Sequence, residues 1–180
     1  LALRTPADTA DPIGPPWVEA AFRDLTTLGG TSVLTVVTLA TLGYLLLAGK
    51  RATAALVAVA VLGGTLLSSL LKAGFERPRP DLVAHLVEVS SQSFPSGHAT
   101  LSAVTWLTLG TLLATVQSRR RLKAYVLGVA IAVTLLVGTS RVYLGVHWPT
   151  DVIAGWCIGT AWALLSWLAA RALFRHGGAR

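Results

Sequence analysis

Charged side chains are absent from five long stretches of the chain, residues 28–49, 52–71, 99–118, 124–140 and 152–170, and gather in the segments between them. Each stretch approaches the roughly 20 residues that a helix needs to cross the hydrocarbon core of a bilayer. None shows the regular polar face of a helix that lies half in water. Apart from Gln117 near one end, their polarity is essentially that of Thr, Ser and Gly, which suit packing between membrane helices. The pattern predicts five transmembrane helices, with backbones approaching closely at Gly63, Gly64, Ser68, Ser69, Gly155 and Gly159. Ahead of the first stretch, residues 5–16 are rich in Pro, Asp and Gly and read as a loop. Trp17, Ala21, Leu25 and Leu28 then recur at helical spacing opposite Glu19, Arg23 and Asp24, which predicts a short amphipathic helix at the outer interface.

The expected architecture is therefore all-α: a polytopic transmembrane helix bundle plus a short interfacial helix, in one domain. Residues 1–27 form the outer loop and interfacial helix, 28–171 the bundle and 172–180 a cytoplasmic tail. Leu1-Ala2-Leu3 reads as the last turn of a preceding membrane helix, which would give the full protein six. Composition agrees, with 53% hydrophobic and 13% charged residues in a chain of 180, and argues against a soluble helical protein. Cys157, the single cysteine, has no intrachain partner and reads as a small packing residue.

The net charge of +7 changes the picture only through its placement. With five crossings, Lys50, Arg51, Arg119, Arg120, Arg121, Lys123, Arg171, Arg175 and Arg180 fall on one side. All the acidic residues fall on the other, with Arg4, Arg23, Lys72, Arg77, Arg79 and Arg141. The positive-inside rule makes the first side cytoplasmic. No basic patch with interleaved aromatics supports a nucleic-acid partner. Trp17 and Trp148 are expected at the outer headgroup level and Trp167 at the inner one, with Trp106, Trp156 and Trp162 as packing residues.

Ionisable groups at a membrane edge call for a reason, and on the outer side they form three clusters, at residues 72–79, 95–98 and 141–151. Lys72, Arg79 and Arg141 are cations with few anions beside them, an excess that a multiply charged anion such as phosphate would relieve. Ser96 and Gly97 precede an apolar helix, whose free N–H groups also favour an anion, and Gly97 permits close backbone approach. His147 and Asp151 are four apart around Pro149, so they can meet in the first turn of a helix. There a carboxylate can orient an imidazole as a nucleophile. His98, from a different helix, supplies the proton that an alkoxide leaving group needs. Taken singly, each residue also has an ordinary reading: a helix cap for Asp151, a snorkelling anchor for Arg141, a helix-end lysine for Lys72. The conjunction carries the inference.

At these residues the sequence resembles the type 2 phosphatidic acid phosphatase (PAP2) family of membrane lipid phosphatases. The family pattern is lysine, six residues, Arg-Pro; then Pro-Ser-Gly-His; then Ser-Arg, five residues, His, three residues, Asp. Here it reads Lys72 to Arg79-Pro80, Pro95-Ser96-Gly97-His98, and Ser140-Arg141 to His147 and Asp151. The resemblance implies that His147 attacks phosphorus to give a phosphohistidine, that Asp151 orients it, and that His98 protonates the leaving oxygen and later assists water. Lys72, Arg79, Ser96, Gly97 and Arg141 would bind the phosphoryl oxygens. No metal or other cofactor is required. Arg77-Pro78 makes a second Arg-Pro pair, but the spacing from Lys72 selects Arg79, which leaves Arg77 expected nearer the rim, toward a substrate headgroup. His85 and His176 carry no expected role.

The implied substrate is a lipid phosphate or diphosphate whose tail stays among the membrane lipids: phosphatidylglycerophosphate, phosphatidic acid, or a polyprenyl diphosphate such as undecaprenyl diphosphate. The compact chain suggests a bacterial inner membrane with the site facing the periplasm. No feature fixes an oligomeric state. Three other readings stand beside this one. A metal hydrolase could use His98, His147 and Asp151 as ligands, although three cations would crowd its ion. An anion or lipid transporter with a basic vestibule leaves the His–Asp spacing without a purpose. A lipid phosphotransferase of the same family would use the same residues.

Overall fold

The structure is a computed structural model that describes residues 3–6, 8, 11–81, 83, 85–87 and 91–177, the last five without their side chains. Leu1, Ala2 and Glu88 lie outside the described residues. Among the described residues six helices follow one another: α1 (Pro16–Thr27), α2 (Thr31–Leu47), α3 (Arg51–Gly74), α4 (Gly97–Thr115), α5 (Arg120–Tyr143) and α6 (Pro149–Gly177). The last four extend past the charge-free stretches on at least one side, because a helix does not stop where its first charged residue appears. Lys72 ends up in the last turn of α3, Arg141 in the last turn of α5 and Asp151 in the first turn of α6. The segment read as a tail from residue 172 continues α6 to Gly177.

Three of these helices, α3, α5 and α6, are long and apolar enough to cross a membrane, and α1 with α2 qualifies as a pair bent by 44°. Length and apolarity thus single out fewer spans than the five expected. The difference lies in α2, which has 17 residues, and in α4, which sits inside the bundle against α2, α3, α5 and α6 and buries Thr100, Ser102, Thr105 and Thr108. A helix surrounded by other helices can carry hydroxyls that a lipid-facing one cannot.

The two faces of α3 show the rule at work. Ala54, Val57, Ala60, Gly64 and Ser68 are buried, whereas Val59, Leu62, Leu66 and Leu70 point outward at helical spacing. Small residues face protein and large apolar ones face outward, the arrangement of a membrane helix. On α6, a Cβ at Gly155 would lie 2.9 Å from Ser96 O, and one at Gly159 would lie 2.5 Å from Thr100 O. These two glycines therefore let α6 lie directly against the start of α4. Gly63 and Gly64 make room for Trp162, while Ser69 is exposed and takes no part in such packing. Trp106, Trp156 and Trp162 are packing residues whose indoles donate to Leu28 O, Thr134 O and Ala60 O.

One expectation needs correction. Cys157 is exposed, on the outward stripe of α6 with Ile153, Leu164 and Leu168, because an all-apolar helix gives no polar face by which to tell inside from outside. In α1 the face that packs on protein carries Val18, Phe22 and Thr26: Phe22 stacks on Tyr143 of α5 with centroids 4.2 Å apart, while Trp17 is left 70% exposed. The helix is thus docked on protein along one side, with Trp17 turned outward.

Candidate active site

Chain direction brings the chemistry to one end of the bundle. The end of α3, the starts of α4 and α6, the end of α5 and the α1–α2 bend all meet there, while Arg51 and Arg120 begin their helices at the opposite end. A cavity of about 410 Å³ opens among them, lined by Lys72, Arg79, Gly97, His98, Arg141 and His147 together with Gly29, Thr31, Thr65, Ser68, Ser69, Ser91 and Leu101. Six of the eight expected site residues thus share one cavity wall. The other two, Ser96 and Asp151, are fully buried behind it.

Asp151 sits behind His147. Its Oδ2 accepts from Ser93 Oγ at 2.5 Å and from the Trp148 amide at 3.0 Å, and lies 3.5 Å from His147 Nδ1. Its Oδ1 accepts from Arg77 Nη1 at 2.8 Å. The other imidazole nitrogen, His147 Nε2, is 3.2 Å from Arg79 Nη1. A guanidinium can only donate, so Nε2 accepts and the neutral ring carries its proton on Nδ1. That proton faces Asp151 Oδ2 and Ser93 Oγ, which is 3.3 Å away and has its own hydrogen committed to the carboxylate. The lone pair is therefore on Nε2, at the cavity. Burial pulls the His147 pKa down from 6.5 to about 4; the hydrogen bond to Asp151 opposes this, and Arg79, Arg141 and Lys72 reinforce it. The ring is neutral at physiological pH.

The cations are held mostly by uncharged oxygens. Lys72 Nζ donates to Gln92 O at 2.6 Å. Arg79 donates through Nε to Ser91 O at 2.8 Å and through Nη1 to Val146 O at 2.7 Å. Burial lowers the Arg79 pKa from its ordinary value, with Asp151 opposing. Arg141, only 4% exposed, gives Nη1 to Thr26 Oγ1 at 3.0 Å, and its buried Nε has no partner among the described residues. Carbonyls and hydroxyls orient these groups without cancelling their charge, so an anion in the cavity would meet it. Gly97 and His98 open α4, where backbone N–H groups have no carbonyl one turn back to receive them. The Ser96 hydroxyl instead caps α4 by accepting from the Ala99 amide at 3.4 Å, and the Ser96 amide donates to Asp151 O at 3.0 Å. Of the expected phosphate contacts it is the one turned away from the cavity.

Three contributors escaped sequence reasoning. Arg77 keeps 39% of its side chain exposed, but its guanidinium is also bonded to Asp151, donates to Thr150 Oγ1 at 2.9 Å and lies over the Trp148 ring at 5.7 Å. The sequence offered no sign of the bond to Asp151, which lies 74 residues further along the chain. Ser93 lies three residues before Ser96 with no motif of its own, and Thr26 belongs to a helix read as lying on lipid. A second cavity of about 400 Å³, lined by Leu112, Ile131, Trp156 and Leu164 among others, is apolar and holds none of these groups.

Residues 52–175 match the PAP2 superfamily. The chain is 36% identical over 148 residues to phosphatidylglycerophosphatase B of Bacillus subtilis, covering 80% of this chain and 71% of that protein. It is 43% identical over 74 residues to undecaprenyl-diphosphatase of Sulfolobus acidocaldarius, a match covering 41% of this chain and 32% of that one. The crystal structure of the transmembrane PAP2-type phosphatidylglycerolphosphate phosphatase from Bacillus subtilis superposes with a TM-score of 0.80 at 34% identity, covering 86% of this chain and 77% of the other. With that family match, relatives named as phosphatases and a shared multi-helix membrane fold, this chain belongs to the PAP2 superfamily and is a membrane phosphatase of that family.

Proposed function

We propose that this enzyme hydrolyses a lipid phosphate or diphosphate monoester at the outer face of a bacterial inner membrane, by way of a phosphohistidine on His147. The observation that carries the reading is the imidazole held between Asp151 on one nitrogen and the cavity on the other. Support for the substrate class comes from relatives named for phosphatidylglycerophosphate and undecaprenyl diphosphate, and from apolar helices beside a cationic cavity.

In this scheme the phosphoryl group enters the cavity and its non-bridging oxygens take hydrogen bonds from Lys72, Arg79, Arg141 and the N–H groups that open α4. A phosphoryl oxygen competes with His147 Nε2 for Arg79 Nη1, and winning that contact releases the lone pair. Nε2 then attacks phosphorus as the bridging P–O bond breaks, and the leaving oxygen, an alkoxide from a monophosphate or a phosphate oxygen from a diphosphate, takes a proton from His98. The bound phosphate supplies the negative charge that favours protonated His98 among so many cations. His147, now phosphorylated and cationic, is steadied by Asp151 through Nδ1–H. Water then attacks phosphorus while His98 takes its proton, the P–N bond breaks with its electron pair returning to His147 Nε2, and inorganic phosphate leaves. Ser96 acts one step back, by holding α4 and its N–H groups in place. No step uses a metal, and both Asp151 oxygens are already engaged by Arg77, Ser93 and Trp148.

The test is phosphate release in detergent with EDTA present, from phosphatidylglycerophosphate, phosphatidic acid and undecaprenyl diphosphate, by the wild type and by His147→Ala. Release by the wild type alone, with acid-labile, base-stable 32P trapped on the protein, is the expected result. Equal release by the variant would overturn the assignment of His147.

A further inference from the structure

The Asp151 carboxylate is not simply placed beside His147; it is clamped from behind. Each oxygen has its own side-chain holder, Arg77 on Oδ1 at 2.8 Å and Ser93 on Oδ2 at 2.5 Å, and Oδ2 also takes the Trp148 amide at 3.0 Å. The two holders are joined to each other, since the Ser93 amide donates to Arg77 O at 3.0 Å. Arg77 is further fixed by Thr150 Oγ1 at 2.9 Å and by the Trp148 ring, whose indole nitrogen donates to Pro78 O at 3.2 Å. The carboxylate is wholly buried. A buried carboxylate with a single partner would be free to rotate about its Cβ–Cγ bond, and a buried anion without a cation is costly.

We infer that Arg77 and Ser93 form a positioning pair for the reaction: they fix the plane of the Asp151 carboxylate so that Oδ2 faces His147 Nδ1, and Arg77 shares the charge that this carboxylate presents to the imidazole. Neither residue lines the cavity or touches the phosphoryl group, so neither is a catalytic residue. The chemical effect falls on the intermediate. Phosphorylation at Nε2 leaves the ring cationic, and the carboxylate behind it stabilises that cation. A carboxylate already shared with a guanidinium stabilises it less, which keeps the P–N bond reactive toward water. The pair thus sets both the aim of the nucleophile and the lifetime of the phosphoenzyme.

As a statement about catalysis this rests on the phosphohistidine reading above, and its test lets either fail alone. Among the described residues, the charged or titratable groups facing His147 are Asp151 from α6, Arg79 from the long connection, Arg141 from α5, Lys72 from α3 and His98 from α4. Arg77→Gln leaves all of them in place and frees the full charge of Asp151 for the imidazole. In detergent, 15N-histidine NMR follows His147, its signal identified by loss in His147→Gln. The titration is expected to move upward by about 1 pH unit in Arg77→Gln, as an unshared carboxylate nearby demands, and to move back in Arg77→Lys. An unshifted titration in correctly folded Arg77→Gln overturns the inference, whether or not any lipid is hydrolysed.

On the lipid that the wild type hydrolyses, kcat of Arg77→Gln is expected to fall about tenfold or more, as for other partners that orient a functional group, with KM held within about twofold. Arg77→Lys should recover most of the rate. A raised KM with unchanged kcat would return Arg77 to a headgroup contact. Because the two residues act on one carboxylate, Arg77→Gln with Ser93→Ala should cost less than the product of the single losses; strict additivity would show two unrelated effects. Wild type with no activity on any lipid would remove the enzymatic reading and leave the NMR result to decide the clamp.

Discussion

Arg141 Nη1 donates to Thr26 Oγ1 at 3.0 Å, a bond between the last turn of α5 and the surface helix α1. Arg141 is 4% exposed and its Nε has no partner among the described residues, so this hydroxyl is a main determinant of where the guanidinium points. The contact makes α1 part of the phosphate site. Tyr143, two residues on, also ties α5 to the segment just ahead of α1 by donating its hydroxyl to Ile13 O at 2.9 Å.

Thr26→Val keeps the shape of the side chain and removes the acceptor. A hydrogen bond from a charged donor contributes about 1.5–3 kcal/mol, and a buried donor left without a partner adds its own penalty. If Arg141 then turns away from the phosphoryl position, inhibition by inorganic phosphate should weaken about tenfold, equivalent to about 1.4 kcal/mol. Thr26→Ser, which keeps the hydroxyl, should behave as wild type. Equal phosphate inhibition in all three proteins would show that Arg141 needs no help from α1.

The acid side of the pH profile follows from His147, whose pKa burial lowers from 6.5 to about 4. The nucleophile must be neutral, so kcat/KM should hold between pH 7 and pH 5 where an ordinary histidine would already be protonated, and any acid limb belonging to His147 should appear near 4. Stability has a matching sign. Between the unfolded and folded values the unfolded chain binds a proton that the folded chain refuses, so this contribution is complete above pH 6.5 and declines as pH falls toward 4. Thermal unfolding in detergent at pH 7 and pH 5 should show a larger drop for wild type than for His147→Gln. A limb at 6.5 with equal drops would place His147 in a solvated setting.

Cys157 provides a reporter that needs no engineering. It is the single thiol, and it is exposed on the outward stripe of α6 beside Ile153 and Leu164. If that stripe faces lipid, a membrane-impermeant maleimide should fail to label the protein in liposomes, while detergent with denaturant restores labelling. Rapid labelling from water in intact liposomes would mean that this face of α6 lines an aqueous path.

The parts of this molecule legible in its sequence are those whose signal is local. His147 and Asp151 lie one helical turn apart with a proline between them, so their meeting could be read from spacing, as could the long apolar helices. The partners that complete the site are remote: Ser93 and Asp151 are 58 residues apart, Arg77 and Asp151 are 74 apart, and Thr26 and Arg141 are 115 apart. No periodicity encodes such contacts. The inside and outside of the apolar helices were legible only in part, since lipid and protein interior attract the same residues. That is why Gly155 and Gly159 were found by size, and Cys157 was misjudged.

Glycine substitutions separate size from helix preference. A Cβ at Gly159 would lie 2.5 Å from Thr100 O and 2.7 Å from Ala103 Cβ, and the backbone of α4 cannot retreat without moving His98, two residues before Thr100. Gly159→Ala should therefore destabilise by about 1–3 kcal/mol, the usual cost of overpacking, and reduce activity by displacing α4 from His147. At Gly43 of α2 and Gly128 of α5 a Cβ would meet nothing within 4 Å. There Ala should leave activity unchanged and stabilise by about 0.5–1 kcal/mol through helix preference alone. Thermal unfolding in detergent and phosphate release, measured on all three variants, check both signs. A Gly159→Ala protein as stable and active as the Gly43→Ala protein would mean that α4 and α6 do not meet as closely as their backbones are placed.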